Sequence, residues 1–211
     1  LGIQVNLMDK DHHVVEGEGR GDLVISAPWP GMLQGVYEND SRFQSTYFSP
    51  HPGYYTSGDG AYRDKDGHYW ITGRLDDVLN VSGHRIGTAE IENALVTHPL
   101  VVEAAVVGFP HEVKGEAIYA YVTLLDGVKP SIELKNELSQ TVRQKIGPFA
   151  TPGFIQFSAV LPKTRSGKIM RRILRNIAKG ETEDLGDIST LADPKCLRDL
   201  IKHSLKQEEK H

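Results

Sequence analysis

The sequence predicts an α+β fold, in which a small β-rich region is followed by a compact α/β-mixed domain with a short sheet flanked by helices. The first half consists of short strand-like runs separated by glycines, and the pattern of the sequence changes after Arg74. Beyond that point, apolar stripes at helical spacing alternate with β-rich runs. We place the boundary near Asp76, with residues 1–76 in the first region and 77–211 in the second.

Composition and charge exclude several classes of protein. The 211 residues are 39% hydrophobic and 25% charged, which is unlike a disordered, collagen-like or coiled-coil chain. No apolar run approaches the roughly 20 residues that span a bilayer, and a net charge of −4 argues against a general nucleic-acid binder. The lone Cys196 cannot form an internal disulfide, which favours a reducing compartment, and we expect the cytoplasm. The chain starts at Leu1 without a Met or a signal-type pattern, which favours a piece of a longer protein.

Strand signals dominate the first half of the chain. A short strand-like run at 22–26 stops before Pro28 and Pro30. Residues 60–63 and 68–72 carry aromatic side chains on either side of a turn that ends in Asp-Gly, which predicts a β-hairpin.

Helices and strands alternate in the second half. Thr88 and the acids after it predict an N-capped helix through Leu95, which His98-Pro99 ends. Ser131 caps a second helix whose apolar residues repeat every four positions, and Gly147-Pro148 stops it. The other predicted elements are strands at 101–107, 117–125 and 153–157, a polar connection at 109–115, a loop at 162–168, a helix from Ile169 to Gly180 and a charged helix-like end.

Three stretches combine glycine with charge in a way that a core does not require, and residues 54–60 (YYTSGDG) are the first. Gly58 and Gly60 would let the backbone turn sharply and present the Asp59 carboxylate outward. Two carboxylate oxygens can accept hydrogen bonds from the two hydroxyls of a ribose. The alternative is a turn aspartate bonded to its own backbone, which this stretch favours when it is taken alone.

The second stretch is 71–85 (ITGRLDDVLNVSGHR), in which Arg74 and Arg85 flank an Asp pair and a Ser-Gly-His turn. The planar fork of arginine suits phosphate. A metal site at Asp76 and Asp77 is one interpretation. A solvated linker is favoured, because adjacent carboxylates usually point apart.

The third stretch is 161–168 (LPKTRSGK), which looks like a phosphate loop but does not match one. The positions that a Walker A loop reserves for its first glycine and for the Ser or Thr after its lysine hold Pro162 and Ile169. What remains is a flexible cationic loop that delivers Lys168 to the start of a helix. Since no acid interrupts the Lys and Arg residues of 163–179, a nucleic-acid or anionic-lipid patch is an alternative, and an ordinary surface helix is the simplest interpretation.

Searches for other chemistry find little in the sequence. There is no HExxH and no Gly-x-Ser-x-Gly motif, and a single cysteine excludes a cysteine-based zinc site. The scattered histidines His12-His13, His98 and His111 are interpreted as surface or capping residues.

Taken in order, segments 56–60, 69–85 and 162–172 resemble the last motifs of the adenylate-forming enzymes. Within that superfamily they are most similar to the AMP-forming acetyl-CoA synthetases (acetate–CoA ligases). The resemblance covers nearly the whole chain, and its further segments are 87–92, 114–117, 146–148 and 185–194. It implies that 1–76 is the C-terminal end of a large adenylation domain and that 77–211 is a mobile C-terminal domain.

The resemblance implies a two-step reaction in which acetate and ATP give acetyl-AMP and pyrophosphate, and CoA then displaces AMP. By similarity, Asp59 would hold the ribose hydroxyls, while Arg74 and Arg85 would contact the nucleotide. Asp76 would be the hinge about which the small domain swings between the two steps.

Ser82 and Arg143 would contact CoA by the same similarity, and Lys168 would enter the site during adenylation. Its ammonium would offset the repulsion between a carboxylate and a triphosphate, and its acylation would delete that charge. A lysine acetyltransferase or deacetylase is therefore an expected partner, whereas nucleic acid and membrane are not. The family also implies a Mg2+ ion held by backbone carbonyls and a histidine, at Val96, His98 and Val101.

The chain also departs from the family pattern, because the phosphate loop and the adenine and acyl-pocket motifs do not occur in it. We therefore expect the chain to need the rest of the large domain for activity. The alternatives are a propionyl- or other short-chain acyl-CoA synthetase, and a stand-alone binding or regulatory module. Family members also work in the nucleus and the mitochondrion, and those compartments stay open.

Overall fold

The computed structural model describes residues 2–111 and 115–204, with Arg85 described by its backbone alone. It contains two compact units, Leu1–Val78 and Leu79–His211. The division falls after Val78, close to the position near Asp76 that the sequence predicts. Part of the 114–117 segment of family resemblance lies outside the described residues.

The first unit is built on a four-stranded antiparallel sheet whose strands follow one another in chain order. Its strands are β1 (Val5–Met8), β2 (Gly19–Ile25), β3 (Tyr55–Arg63) and β4 (Tyr69–Arg74). The hairpin predicted around 64–67 is confirmed as β3–β4, with Arg63 paired to Tyr69 next to the turn. A 3-10 turn, Leu75–Asp77, follows β4.

The first unit also contains a helix that the sequence did not predict, α1 (Asp40–Tyr47). The Asn39 side chain caps it by accepting a hydrogen bond from the backbone N–H of Arg42 at 3.0 Å. None of its residues is buried. A helix without a buried face has no apolar stripe, and the periodicity on which helix prediction rests is therefore missing.

The second unit is built on a five-stranded sheet in the order β6-β5-β8-β7, with one further strand beside β8. Its strands are β5 (Val78–Val81), β6 (His84–Gly87), β7 (Val101–His111), β8 (Gly115–Leu124) and β9 (Phe154–Phe157). β7 and β8 are antiparallel, whereas β9 runs parallel to β8. The predicted polar connection at 109–115 is wrong at both ends, since Phe109 and Pro110 continue β7 and pair with Ala117 and Glu116.

Helices cover both faces of this sheet, as the predicted fold class requires. They are α2 (Thr88–Val96), α3 (Ile132–Lys145), α4 (Arg171–Lys179) and α5 (Cys196–Lys202). Alternate residues of β7 enter separate cores: Ala104 and Val106 pack in the core that includes α2 and α3, and Ala105 and Val107 in the one that includes α4 and α5. Because both faces of β7 and β8 are covered, their sequences read as continuous apolar runs.

The helix ends follow the sequence signals in two cases and depart from them in a third. The Ser131 side chain accepts a hydrogen bond from the backbone N–H of Leu134 at 3.2 Å, and Gly180 ends α4 in the left-handed conformation. No side chain caps α2, because Gly87 occupies its N-cap position and Thr88 is buried inside the first turn. None of the helices in the described ranges is long and apolar enough to cross a membrane.

Candidate functional site

Three of the predicted site residues meet in the first unit, where the end of β4 lies beside the middle of β3. Asp59 and Arg74 are register partners, and Arg74 Nη1 lies 3.4 Å from Asp59 Oδ1. Arg74 Nε donates to Asp76 Oδ1 at 3.1 Å. Arg74 therefore bridges the predicted ribose carboxylate and the predicted hinge carboxylate.

The geometry around Asp59 differs from the sharp turn that the flanking glycines suggest. Residues 58–60 lie within β3, with an irregularity in the β3–β4 pairing after Gly60. Gly58 has φ +79°, and a Cβ on it would come within 2.7 Å of the Arg74 guanidinium. This glycine is required for two reasons: its backbone conformation is left-handed, and the guanidinium lies directly against it.

Hydrogen bonds fix the backbone on both sides of the Asp59 carboxylate. The Asp59 backbone N–H donates to Ser57 Oγ at 3.1 Å, and the Ser57 hydroxyl donates to the carbonyl of Leu23 at 2.8 Å. Arg74 Nη1 also donates to the carbonyl of Ser57 at 3.3 Å. Asp59 Oδ2 makes no hydrogen bond or ion pair with any described residue. One oxygen of a positioned, partly exposed carboxylate thus remains for a ligand hydroxyl.

The Arg74 guanidinium is held as a cation by its neighbours. Partial burial acts to lower the pKa of Arg74, but its hydrogen bond to Asp76 and the charges of Asp76, Asp59 and Asp77 outweigh that effect and raise the pKa. The Asp pair of the sequence therefore serves Arg74 in part.

In the second unit, the turn between β5 and β6 carries two predicted contact residues. Ser82 and Gly83 are exposed and both have positive φ, +50° and +83°. The adjacent His84 ring stacks on Phe149 with centroids 4.4 Å apart. Arg85 lies in β6, and its side chain is outside the described part of the structure.

Glu116 supports this turn, and sequence reasoning missed it. Its Oε2 accepts a hydrogen bond from the backbone N–H of Asn80 at 2.8 Å. The side chain lies across Gly108, where a Cβ would come within 2.0 Å of Glu116 Oε1. No local signal marks this contact, because 36 residues separate Asn80 from Glu116.

Lys168 is exposed at the end of a tight turn. Its carbonyl accepts from the backbone N–H of Thr164 at 2.8 Å, and its own backbone N–H donates to Thr164 Oγ1 at 3.1 Å. Gly167, with φ +84°, closes the turn. The ammonium group has no hydrogen-bond or ion-pair partner among residues 2–111 and 115–204.

Two ion pairs anchor the segments that flank this turn, and sequence reasoning missed both acidic partners. Lys163 Nζ lies 2.7 Å from Glu103 Oε1. Arg171 Nη2 contacts both oxygens of Glu92, at 2.9 and 2.8 Å, and Glu92 also accepts from the backbone N–H of Val106. The basic run 163–179 is therefore partly neutralised by acids distant in sequence.

The remaining predicted CoA contact, Arg143, is exposed in the last turn of α3. No hydrogen bond links it to Ser82 within the described residues. The two side chains therefore remain separate predictions rather than parts of one cluster.

The predicted magnesium residues offer few free ligands. His98 Nδ1 accepts from the backbone N–H of Leu100 at 3.4 Å, and His98 Nε2 lies 3.5 Å from Glu137 Oε2. Its carbonyl accepts from the N–H of Val101 at 3.0 Å, and Val101 is buried while Val96 is exposed. Mg2+ demands several oxygen ligands in octahedral geometry. These residues do not show such a set, and no chemical step below is routed through them.

A different group, Asp64, Asp66 and His68, is the one set of three or more acidic, histidine or cysteine ligands close enough together in the described ranges to hold an ion. Asp64 is already occupied there. Its carboxylate accepts from the Trp70 indole and from the backbone N–H groups of Asp66 and His68. The group is therefore explained as the turn of the β3–β4 hairpin.

Comparisons with known proteins bear on the second unit first. Residues 90–168 match the family model of the AMP-binding enzyme C-terminal domain. Among solved structures, an ATP-bound RpMatB-BxBclM chimera has a TM-score of 0.75 at 27% identity over 84% of this chain and 35% of its own. The anthranilate CoA ligase AuaEII, in complex with anthranoyl-AMP, gives 0.73 at 29% identity over 85% and 34%.

Curated relatives extend the likeness across both units. The acetyl-coenzyme A synthetase of Desulfatibacillum aliphaticivorans is 62% identical over 97% of this chain and 32% of its own length. That of Saccharophagus degradans is 58% identical over 97% of this chain and 32% of its own length. That of Xanthobacter autotrophicus is 60% identical over 95% of this chain and 31% of its own length. The chain spans about a third of the length of the curated relatives it matches. Its residues 90–168 match the AMP-binding enzyme C-terminal domain, and nearly its whole length is similar to about a third of these acetyl-coenzyme A synthetases.

Proposed function

We propose that the chain is the C-terminal part of an AMP-forming acetyl-CoA synthetase, which converts acetate, ATP and CoA to acetyl-CoA, AMP and pyrophosphate through acetyl-AMP. The observation that carries the proposal is identity of 58–62% to acetyl-coenzyme A synthetases over nearly the whole chain. The remaining length of such an enzyme supplies the phosphate loop and the acyl pocket, which this sequence lacks. The single free cysteine supports the cytoplasm as its compartment.

In this proposal Asp59 holds the ribose and Arg74 positions it. Asp59 Oδ1 faces Arg74 and Oδ2 has no described partner, so the carboxylate keeps an acceptor for a ribose hydroxyl. Arg74 neutralises the carboxylate, which limits its repulsion of the nucleotide phosphates. Asp76 acts as the hinge, and its ion pair with Arg74 ties the hinge position to the nucleotide site.

Lys168 supplies the positive charge for adenylation. Acetate and ATP are both anions, so their approach is opposed unless a cation stands where the charge develops. An exposed ammonium without a partner in the described structure is available for that role. Exposure also leaves the amine open to an acetyltransferase, and the acetylated side chain open to a deacetylase. Acetylation would remove the charge.

The turn between β5 and β6 carries the other proposed contacts. Ser82 at this turn and the exposed Arg143 are the residues proposed to contact CoA, and Arg85 in β6 is proposed to contact the nucleotide. Arginine suits the phosphates of CoA and of the nucleotide because its donors are paired. The backbone hydrogen bond from Asn80 to Glu116 holds this turn on the sheet.

The proposal is tested with a chimera in which this chain replaces the matching third of the acetyl-coenzyme A synthetase of Desulfatibacillum aliphaticivorans. Lys168→Ala should lower the rate of acetate-dependent ATP–pyrophosphate exchange by a factor on the order of 10² or more, as loss of one preorganised charge does elsewhere. The rate of acetyl-CoA formation from supplied acetyl-AMP should change little.

Arg165→Ala is the matched control, because it removes one positive charge from the same exposed loop. It should leave both half-reactions close to the unmutated chimera. Equal loss of the two half-reactions in Lys168→Ala would contradict the role of Lys168, and a chimera without exchange activity would contradict the proposed function.

A further inference from the structure

Two histidines that lie 39 residues apart face each other in the first unit. His12 Nδ1 and His51 Nδ1 are 3.0 Å apart, with ring centroids 5.1 Å apart and planes inclined at 75°. His51 is only 3% exposed, whereas His12 is exposed at the turn between β1 and β2. His12 is therefore the surface histidine that the sequence indicates, and it also contacts the buried ring of His51.

Asp22 fixes the hydrogen position on the buried ring. Its Oδ2 lies 3.0 Å from His51 Nε2. A carboxylate only accepts hydrogen bonds, so Nε2 carries a hydrogen, and in the tautomer with one ring hydrogen the lone pair is at Nδ1. A carboxylate behind a histidine that presents its other nitrogen is the arrangement that orients metal-ligating histidines.

The backbone holds His12 against this lone pair in a conformation that few non-glycine residues adopt. His12 has φ +62°, within a turn closed by the bridge between Met8 and Val14. The Asp9 backbone N–H donates to the His13 carbonyl at 2.9 Å, and Asp9 Oδ1 accepts from the backbone N–H of His13 at 2.9 Å. Strained conformations of this kind persist where the surrounding structure imposes them.

We propose that His12 and His51 form a binding site for a borderline divalent cation of the zinc class, with Asp22 as the orienting carboxylate. Zn–N bonds of about 2.0–2.1 Å place two imidazole nitrogens of a tetrahedral zinc about 3.3 Å apart, a few tenths of an ångström beyond the observed spacing. Solvent reaches the exposed His12 and can fill the other positions on the ion.

The proton balance of binding is simple. Without metal, a hydrogen bond joins the two Nδ1 atoms, and in that tautomer of His51 the donor is His12 Nδ1–H. When the cation binds, His12 loses the hydrogen on Nδ1 and gains one on Nε2 by exchange with water. Each Nδ1 then forms one bond to the metal. His51 keeps its hydrogen bond to Asp22 throughout.

The chemistry of the donors selects the cation. Imidazole nitrogen suits Zn2+, Cu2+ and Ni2+, while Mg2+ and Ca2+ prefer oxygen. Binding joins the β1–β2 turn to the segment after α1, and a cation that binds only the folded state raises the unfolding temperature.

The test is zinc titration of the untagged 211-residue chain, followed by calorimetry, thermal unfolding and long-range 1H–15N NMR of the histidine rings. We expect saturable binding of one zinc, shifted Nδ1 signals of His12 and His51, and a raised Tm. His12→Gln should weaken zinc binding at least about tenfold, and Asp22→Asn on the order of tenfold, which is typical for a lost orienting carboxylate. Magnesium should leave the His12 and His51 signals unchanged.

Two exposed histidines provide matched controls, His13→Gln in the same turn and His68→Gln at the Asp64–Asp66 group. Both should retain the zinc affinity of the unmutated chain. Zinc binding that survives His12→Gln, or that His68→Gln removes, would overturn the proposal, as would the absence of saturable binding.

Discussion

At the scale of single residues, Gly58 shows how a small residue positions a charged one. Its positive φ and its contact with the Arg74 guanidinium are two separate reasons why this position requires glycine. Gly53 has a similar φ of +87° but has no atom within 4 Å of the position where its Cβ would stand. The two glycines therefore separate the effect of backbone strain from that of close approach.

We predict that Gly58→Ala and Gly53→Ala each lower the free energy of unfolding by about 1–2 kcal/mol, the cost of a left-handed conformation for a residue with a Cβ. Only Gly58→Ala should also move the Arg74 side chain away from Asp59, because the guanidinium is the flexible partner in the contact. Urea unfolding measures the first effect, and the Nε–H NMR signal of Arg74 measures the second. An unchanged Arg74 signal in Gly58→Ala would show that the close approach is unimportant.

At the scale of elements, the β3–β4 hairpin is held by one carboxylate at its turn. Hydrogen bonds from the Trp70 indole, and then from the backbone N–H of His68, lower the pKa of Asp64. The folded pKa is therefore below that of the unfolded chain. Asp64 therefore stabilises the folded state fully when the pH is above the ordinary carboxyl pKa. This stabilisation is lost as the pH falls below that value toward the lowered pKa of folded Asp64.

Asp64→Asn should therefore destabilise the first unit at pH 7 and reduce the loss of stability between neutral pH and about pH 3, where carboxylates protonate. Urea unfolding of the chain across this pH range measures both effects. Asp66→Asn is the control, since Asp66 contributes only its backbone N–H to the turn. A pH dependence of stability that is the same in Asp64→Asn as in the unmutated chain would contradict the assignment.

Elements with a strong local signal were predicted well from the sequence. The β3–β4 turn ends in Asp66-Gly67, Ser131 caps α3, and an apolar stripe runs along α4. Elements without a strong local signal were missed or misplaced. The helix α1 has no buried face, and it was not predicted. Phe109 and Pro110 were predicted to lie in a connection, although pairing with β8 extends β7 through them. A local sequence pattern indicates which secondary structure a segment prefers, whereas the residue at which a strand ends depends on its pairing with the neighbouring strand.

At the scale of the whole molecule, each of the two units has its own sheet. The second unit has two hydrophobic cores, one on each face of the central strands. β5 begins at Val78, the last residue of the first unit, so a polypeptide of residues 78–211 keeps the five strands and four helices described for the second unit.

We predict that residues 78–211 fold without the first unit, because their cores are complete within the segment. The expected result is a dispersed 1H–15N spectrum and cooperative unfolding in urea. Leu138→Ala, which truncates a fully buried side chain, should lower the free energy of unfolding by about 2–5 kcal/mol. A spectrum typical of an unfolded chain would contradict the independence of this unit.

The sequence by itself determined the α+β class, most of the strands and helices, and the family resemblance, because each follows from residues that are close together in the chain. Tertiary structure alone decided which distant residues meet. It set Arg74 against Asp59, Glu92 against Arg171, and His12 against His51. These contacts arise because the order of the strands and the packing of distant segments bring the residues together. Neither produces a periodic or local signal in the sequence.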